Sequence, residues 1–258
     1  MYNIKTNRMK LAAIYNTFDG EELLEGSIKQ IYDLVDGVII VYQTQSNFGE
    51  NYIQLLSTLL AIQYRWPKVR LIEYTPDFTI NGLTNEMLKR ARGIDEAKEL
   101  GCTHFLFLDN DEYYEPEQFS KAKLKIAVEG YDVTACRLYT YFKKPEYRLT
   151  PIENYWVPFI CEIKENQKVG GKWFVYCDPT RGVRPFDKSY KFEEDELMMH
   201  HYSYVRKDIA RKLRNSSARG NFKNIGEMVS GFESWEPGDE LVWYKGHSVV
   251  EVNNQFGI

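Results

Sequence analysis

The sequence predicts an α/β protein with a mostly parallel central sheet flanked by helices and an irregular C-terminal extension. Three observations carry this. Short apolar runs alternate with stretches of helical spacing through the first half of the chain, the pattern of parallel strands joined by helical crossovers. The apolar runs lack the polar alternation of a half-exposed strand, so burial on both faces is expected. The 258 residues, 43% of them hydrophobic, suffice for one large core.

In chain order, Lys10 to Tyr15 (KLAAIY) reads as a buried strand that ends at Asn16-Thr17-Phe18-Asp19-Gly20. Leu24, Ile28, Ile31 and Val35 then keep helical spacing. Gly37 to Tyr42 (GVIIVY) is a second strand, followed by the polar loop QTQSNFGEN and a leucine-rich helix from Tyr52 to Tyr64. Val69 to Tyr74 is a third, and after the loop TPDFTINGLTN the residues Leu83, Met87, Ala91, Ile94 and Ala97 mark one face of a long helix. That helix leads into THFLFLDNDEYYEPEQF, where the apolar run Phe105 to Leu108 stops abruptly at Asp109, Asn110, Asp111 and Glu112. A helix from Pro116 to Glu129 and a mixed strand from Tyr131 to Phe142 follow. Lys143 to Lys191 is rich in Pro, Gly, Trp and Tyr with the short β-like runs YWVPFICEI and GKWFVYC, and reads as loops and edge strands added to one end of the sheet. The acidic run Glu193 to Glu196 precedes LMMHHYSYV, a strand that ends in a basic helix with Val205, Ile209 and Leu213 on one face. Residues 1–220 are expected to form the main body, with 221–258, including Trp235, Trp243 and His247, as a wrapping tail of the same domain.

The net charge of -4 provides no global attraction to nucleic acid or acidic membrane. Cys102, Cys136, Cys161 and Cys177 form no Cys-x-x-Cys pair and no zinc spacing, which fits a reducing compartment. The segment MYNIKTNRMK lacks the apolar core of a signal peptide, and no stretch is long enough to span a bilayer. A soluble, cytoplasmic protein is expected. The 19 tyrosines read first as aromatic packing.

Ligands bind open α/β sheets just outside the carboxyl ends of the strands, where Asp109 and Asp111 fall. Two carboxylates one residue apart can turn toward a single hard cation such as Mn²⁺ or Mg²⁺, whose other positions phosphate oxygens fill. The same residues also suit a plain strand-end turn. Asp111, as a strand-end ligand, is expected to carry no packing. His200 and His201 are adjacent, so on a strand they face opposite ways and only one reaches a given site. The first loop has neither G-x-G-x-x-G nor G-x-x-x-x-G-K-[ST], which takes most of the weight from the dinucleotide and P-loop classes.

From Lys10 through Gln118 the sequence resembles the glycosyltransferase family 2 branch of the GT-A fold. The stretch KRARGIDEAKELGCTHFLFLDNDEYY is similar to that family's helix and metal-binding Asp-x-Asp, and HHYSYVRKD to its late histidine strand. The resemblance implies a metal-dependent, inverting glycosyltransferase that moves a sugar from a nucleotide-diphosphate donor to an acceptor hydroxyl. It implies Asp111 and Asp109 on a Mn²⁺ or Mg²⁺ that bridges the donor diphosphate, with His201 completing the metal site and His200 as second choice. It places Asn16 and Arg90 near the nucleotide. At the second strand the family's acidic residue is replaced by Tyr42-Gln43-Thr44-Gln45, so that Gln43 or Gln45 would supply a neutral hydrogen bond. Glu194 and Asp195 stand at the spacing of the family's catalytic base, and Asp178 in the loop CDPTRG is a further candidate.

Glycosyl transfer leaves negative charge on the departing diphosphate, so a metal and the basic stretch Arg206 to Lys223 would lower its barrier. The acceptor stays open among a polysaccharide, a lipid-linked sugar and a protein. The basic residues Arg206, Lys207, Arg211, Lys212, Arg214 and Arg219 also suit DNA with hydroxymethylated pyrimidines, the acceptor of some phage enzymes. A sugar nucleotidyltransferase is disfavoured because no Gly-rich basic loop follows the first strand. A non-catalytic carbohydrate-binding protein is the remaining class.

Overall fold

A computed structural model describes residues 9–222, 224–241 and 244–258. Lys223, Trp243 and the first eight positions of the N-terminal segment lie outside the described residues. The first half alternates as its hydrophobic pattern demands: β1 (Leu11–Thr17), α1 (Glu21–Ile31), β2 (Gly37–Tyr42), α2 (Leu55–Arg65), β3 (Val69–Glu73), α3 (Gly82–Glu99) and β4 (His104–Leu108). The chain continues with β5 (Glu112–Tyr114), α4 (Pro116–Glu129), β6 (Val133–Phe142), β7 (Tyr147–Thr150) and β8 (Val157–Glu162). A small hairpin of β9 (Lys168–Val169) and β10 (Val183–Arg184) precedes β11 (Ser189–Lys191) and β12 (Met198–Tyr204). α5 (Ile209–Asn215), α6 (Ile225–Ser234) and β13 (Ser248–Glu251) complete it.

The main sheet runs β13-β7-β6-β8-β4-β1-β2-β3, with β11 and β12 also pairing to β6. The half β3-β2-β1-β4 is wholly parallel, whereas β8 runs antiparallel to both β4 and β6. Helices cover both faces because each strand is apolar on both. Leu24, Ile28, Leu59 and Phe119 from α1, α2 and α4 pack on Leu11, Ala13 and Tyr15. Ile94 and Ala97 from α3, with Trp173 and Val183, pack on Ala12, Ile14, Phe105 and Phe107. Each such buried side chain contributes roughly 1.5–3 kcal/mol of transfer free energy. α3 approaches closely through Gly93, where a Cβ would meet Ile14 Cγ2 at 2.2 Å.

Four expectations are corrected here. α3 does not bury Leu83, which is exposed; its N-terminal half buries the polar residues Asn85, Glu86, Lys89 and Arg90. The reason is position: this half passes beneath the carboxyl ends of the strands, where charged groups find partners. β8 lies inside the sheet and not at its edge, and a register shift between Val133 and Ala135 accommodates Pro158, which cannot donate to a ladder. The run GKWFVYC forms no strand and contributes only the isolated bridge Cys177 to Trp156. The basic segment is also not one long helix, since Arg206 and Lys207 precede α5 and Arg219 follows it.

α5 and α6 enclose a second small core of Phe142, Ile209, Leu213, Phe232 and Trp235. β13 pairs with β7, and Phe256 packs beside Tyr113, His200 and Tyr202. Among the described residues no helix is long and apolar enough to cross a membrane. All four cysteines are buried and free.

Candidate active site

Strand order reverses at β1 and β4, and a crevice opens outside the carboxyl ends of such a pair. A cleft of about 350 Å³ lies there. Its floor is fixed by hydrogen bonds between the two strand ends. Thr17 Oγ1 donates to Asn110 Oδ1 at 2.7 Å, and Asn110 Nδ2 donates to the Asp19 carbonyl at 2.8 Å.

Antiparallel pairing of β5 with β12 sets Glu112 opposite His201 and Tyr113 opposite His200. The Tyr202 amide donates to the Asp111 carbonyl at 2.8 Å. Strand alternation then separates the histidines. His201 lines the cleft with Nε2 3.7 Å from Asp111 Oδ1. His200 faces away, 2.7 Å from the Tyr141 hydroxyl and packed against Tyr139, Tyr141 and Phe256. Burial pushes both rings down to about 4, so each is neutral near pH 7 and His201 keeps a lone pair for the cleft.

Each carboxylate of the Asp-x-Asp already holds cations. Asp109 Oδ1 accepts from Arg90 at 3.0 Å, and Oδ2 accepts from Arg181 at 2.5 Å. Asp111 Oδ2 accepts from Arg206 at 2.5 Å and Lys212 at 3.1 Å. Burial works against both charges, but the guanidiniums of Arg181 and Arg90 hold Asp109 at about 2, and Lys212 and Arg206 hold Asp111 well below the usual carboxylate range. Arg206 can lie there because Gly20, at φ +76°, has no side chain; a Cβ would sit 1.2 Å from Arg206 Nη1. Arg181 also grips both oxygens of Glu112, at 2.5 and 2.9 Å. Lys89 reaches the Thr17 carbonyl at 2.6 Å, and burial lowers its ammonium to about 7.

Of the sequence candidates, Asn16, Gln43, Asp109, Asp111, Asp178 and His201 line this cleft. Arg90 does not; it is 1% exposed and stands behind Asp109, bonded also to Glu86 at 2.8 Å. Glu194 and Asp195 are exposed and border two other surface hollows. The chain path explains this, because both carboxylates sit in the turn that precedes β12, which begins only at Met198. Neither carboxylate reaches the cleft. Asp178 does, and its Oδ1 accepts from the Thr180 amide and hydroxyl, both at 2.8 Å. Gln45 bonds instead to the Gly49 carbonyl at 3.3 Å, within its own loop. Sequence reasoning missed Lys89, Glu86 and Arg181. The only signal for Arg181 was its place in the loop already noted for Asp178.

No group of three or more His, Cys, Asp or Glu side chains is arranged to hold a metal among the described residues. A smaller set fits one. Asp111 Oδ1 is buried with no partner and stands beside the neutral His201, and one carboxylate with one imidazole suits a divalent cation that takes its other ligands from phosphate and water.

Neither a protein-family model nor a curated protein sequence matches the chain. Among solved structures, S. aureus TarS 1-349 is similar at 11% identity and a TM-score of 0.46, over 80% of this chain and 64% of that one. GalNAc-T7 with UDP, GalNAc and Mn²⁺ is similar at 10% identity and a TM-score of 0.40, over 52% and 24%. Glucosyl-3-phosphoglycerate synthase from Mycobacterium tuberculosis, in complex with Mn²⁺, UDP and phosphoglyceric acid, is similar at 11% and 0.36, over 52% and 44%. The chain thus spans less than two thirds of the length of each.

Proposed function

We propose that this chain is a GT-A-type glycosyltransferase that inverts the anomeric centre of a nucleotide-diphosphate sugar. The observation that supports it best is the juxtaposition, at the β1/β4 crevice, of an orphaned carboxylate oxygen on Asp111, the neutral His201, the cations Arg206 and Lys212, and the buried amine of Lys89. A dianionic leaving group needs such a surrounding. Asp111 and His201 would hold the divalent cation, Mn²⁺ or Mg²⁺, which when bound supplies positive charge to the departing diphosphate. Lys212 and Arg206 orient the phosphates from the α5 side, and Lys89 from the β1 side. Asp178, which lines the same cleft, takes the proton of the acceptor hydroxyl as its oxygen bonds to the sugar and the bond to the diphosphate breaks. The Thr180 bonds hold Asp178 in place for that transfer.

A thermal-shift titration with nucleoside diphosphates, with and without Mn²⁺, tests the proposal. Stabilisation by a diphosphate that grows with Mn²⁺ is expected, and both effects should vanish in Asp111→Asn. The absence of any nucleotide effect would sink the reading.

A further inference from the structure

We infer that a second hollow, on the side of β12 turned away from the cleft, binds a neutral sugar ring whose adjacent hydroxyls are shared between the guanidinium of Arg148 and the carboxylate of Glu115. No residue of this hollow lines the cleft, so the site stands or falls apart from the nucleotide-sugar reading.

The hollow follows from the pleat of β12. His201 lines the cleft, so His200 turns to the other side, where Tyr139 and Tyr141 of β6, Arg148 of β7, Glu115 ahead of α4 and Gln255 of the C-terminal segment surround about 330 Å³. Sites for small molecules begin at about that size.

One wall is fixed by a chain of hydrogen bonds. The Glu115 carboxylate accepts from Gln255 Nε2 at 3.2 Å, which sets the orientation of that amide. The same NH₂ group lies 3.0 Å from His200 Nε2, so this nitrogen carries the lone pair of the neutral ring. The proton then sits on Nδ1, which donates to the Tyr141 hydroxyl at 2.7 Å.

Arg148 is held differently. Its guanidinium lies over the Tyr139 ring, 4.4 Å from the centre. It is half-buried, yet among the described residues it makes no hydrogen bond and no ion pair, so its donors are free for a ligand. Gln118 adds another donor, because its Oε1 already accepts from the Met198 amide at 3.1 Å and leaves Nε2 over. Glu194, exposed at the rim, adds a second carboxylate.

The hollow thus sets uncommitted donors beside carboxylate acceptors. An anion would meet Glu115 and Glu194, a cation would meet Arg148, and an apolar ligand would take water from both without replacing its hydrogen bonds. A neutral polyol avoids all three costs. One hydroxyl accepts from Arg148 while its neighbour donates to Glu115, and the C–H groups of the ring lie against Tyr139.

The deciding measurement is a saturation-transfer NMR titration of the full chain with glucose, galactose, mannose, N-acetylglucosamine and glucuronic acid, with and without UDP and Mn²⁺, repeated on Arg148→Met. At least one neutral sugar should bind, equally well when UDP and Mn²⁺ are present, and more tightly than glucuronate. Arg148→Met should weaken it about tenfold or more. Failure of every neutral sugar to bind, tightest binding of glucuronate, displacement by UDP with Mn²⁺, or unchanged binding in the variant would each overturn the inference. Should Arg148→Met not fold, the imidazole signals of the parent chain decide: the sugar should shift those of His200 and leave those of His201 in place, and the reverse would place the sugar in the cleft.

Discussion

Asp111 is 1% exposed, and its side chain is the counter-charge for Arg206 and Lys212, the first of which is itself buried. The expectation that a strand-end ligand carries no packing is therefore wrong for this residue. Removing one partner of a buried ion pair typically costs about 3–5 kcal/mol, because the remaining charge is stranded. Asp111→Ala should lose stability on that scale in urea unfolding, together with activity, and Asp111→Ala/Lys212→Met should recover part of it. The histidines predict a pH dependence. Burial lowers His104, His200 and His201 from 6.5 to about 4. Between those values the unfolded chain binds more protons than the folded one, so stability rises with pH across the window and is lost as pH falls from 6.5 toward 4. Unfolding free energies measured from pH 7 to 4 should decline, and His200→Gln should reduce the limiting slope by about 1.4 kcal/mol per pH unit.

At the scale of elements, the segment between β8 and β11 is fastened by Lys164 to Asp132, by Thr180 to Glu86 and by a buried Arg181. Arg181, 4% exposed, spans Glu112 on β5 and Asp109 at the end of β4. Arg181→Met should cost about 3–5 kcal/mol in urea unfolding and open residues 163–187 to limited proteolysis. Unchanged stability and unchanged cleavage would show that the apolar contacts of Trp173 and Val183 suffice to hold the segment. These contacts also mark what the sequence could disclose. Strand–helix alternation through β4 is legible because it has a local period, and the meeting of Asp109, Asp111 and His201 at one strand end follows from alternation and from the family resemblance. Arg181 with Glu112 joins positions 69 apart and Lys89 with Thr17 positions 72 apart; such pairs leave no periodic trace. The buried polar face of α3 leaves no such trace either, since Glu86, Lys89 and Arg90 find their partners on β1, β4 and the Asp178 loop.

Across the whole molecule the charge distribution bears on the acceptor. The six basic residues from Arg206 to Arg219 do not form one open positive face. Arg206 and Lys212 turn inward to Asp111, Arg211 and Arg214 approach Glu50 at 3.6 and 3.4 Å, and Arg219 lies over the Phe48 ring. With a net charge of -4, little remains to draw a duplex phosphate backbone. Duplex DNA should bind weakly in fluorescence anisotropy at low salt, with little further loss as salt rises. Tight binding with a steep salt slope that Arg211→Ala/Arg214→Ala removes would revive a DNA acceptor.

The adjacent histidines of β12 differ in surroundings by the phase of a single residue, and that phase constrains how the encoding gene can change in length. Tyr202 is pinned, by its amide on Asp111 and by its ring stacked 4.2 Å from Tyr141. One codon inserted between His201 and Tyr202 would leave that anchor in place and shift everything before it by half a pleat, so that His201 entered the tyrosine cluster and the newcomer faced the cleft. Two inserted codons would restore the original facing of both rings, at the cost of moving them along the strand. The segment therefore behaves as a two-state counter, tolerant of changes of length only in even steps.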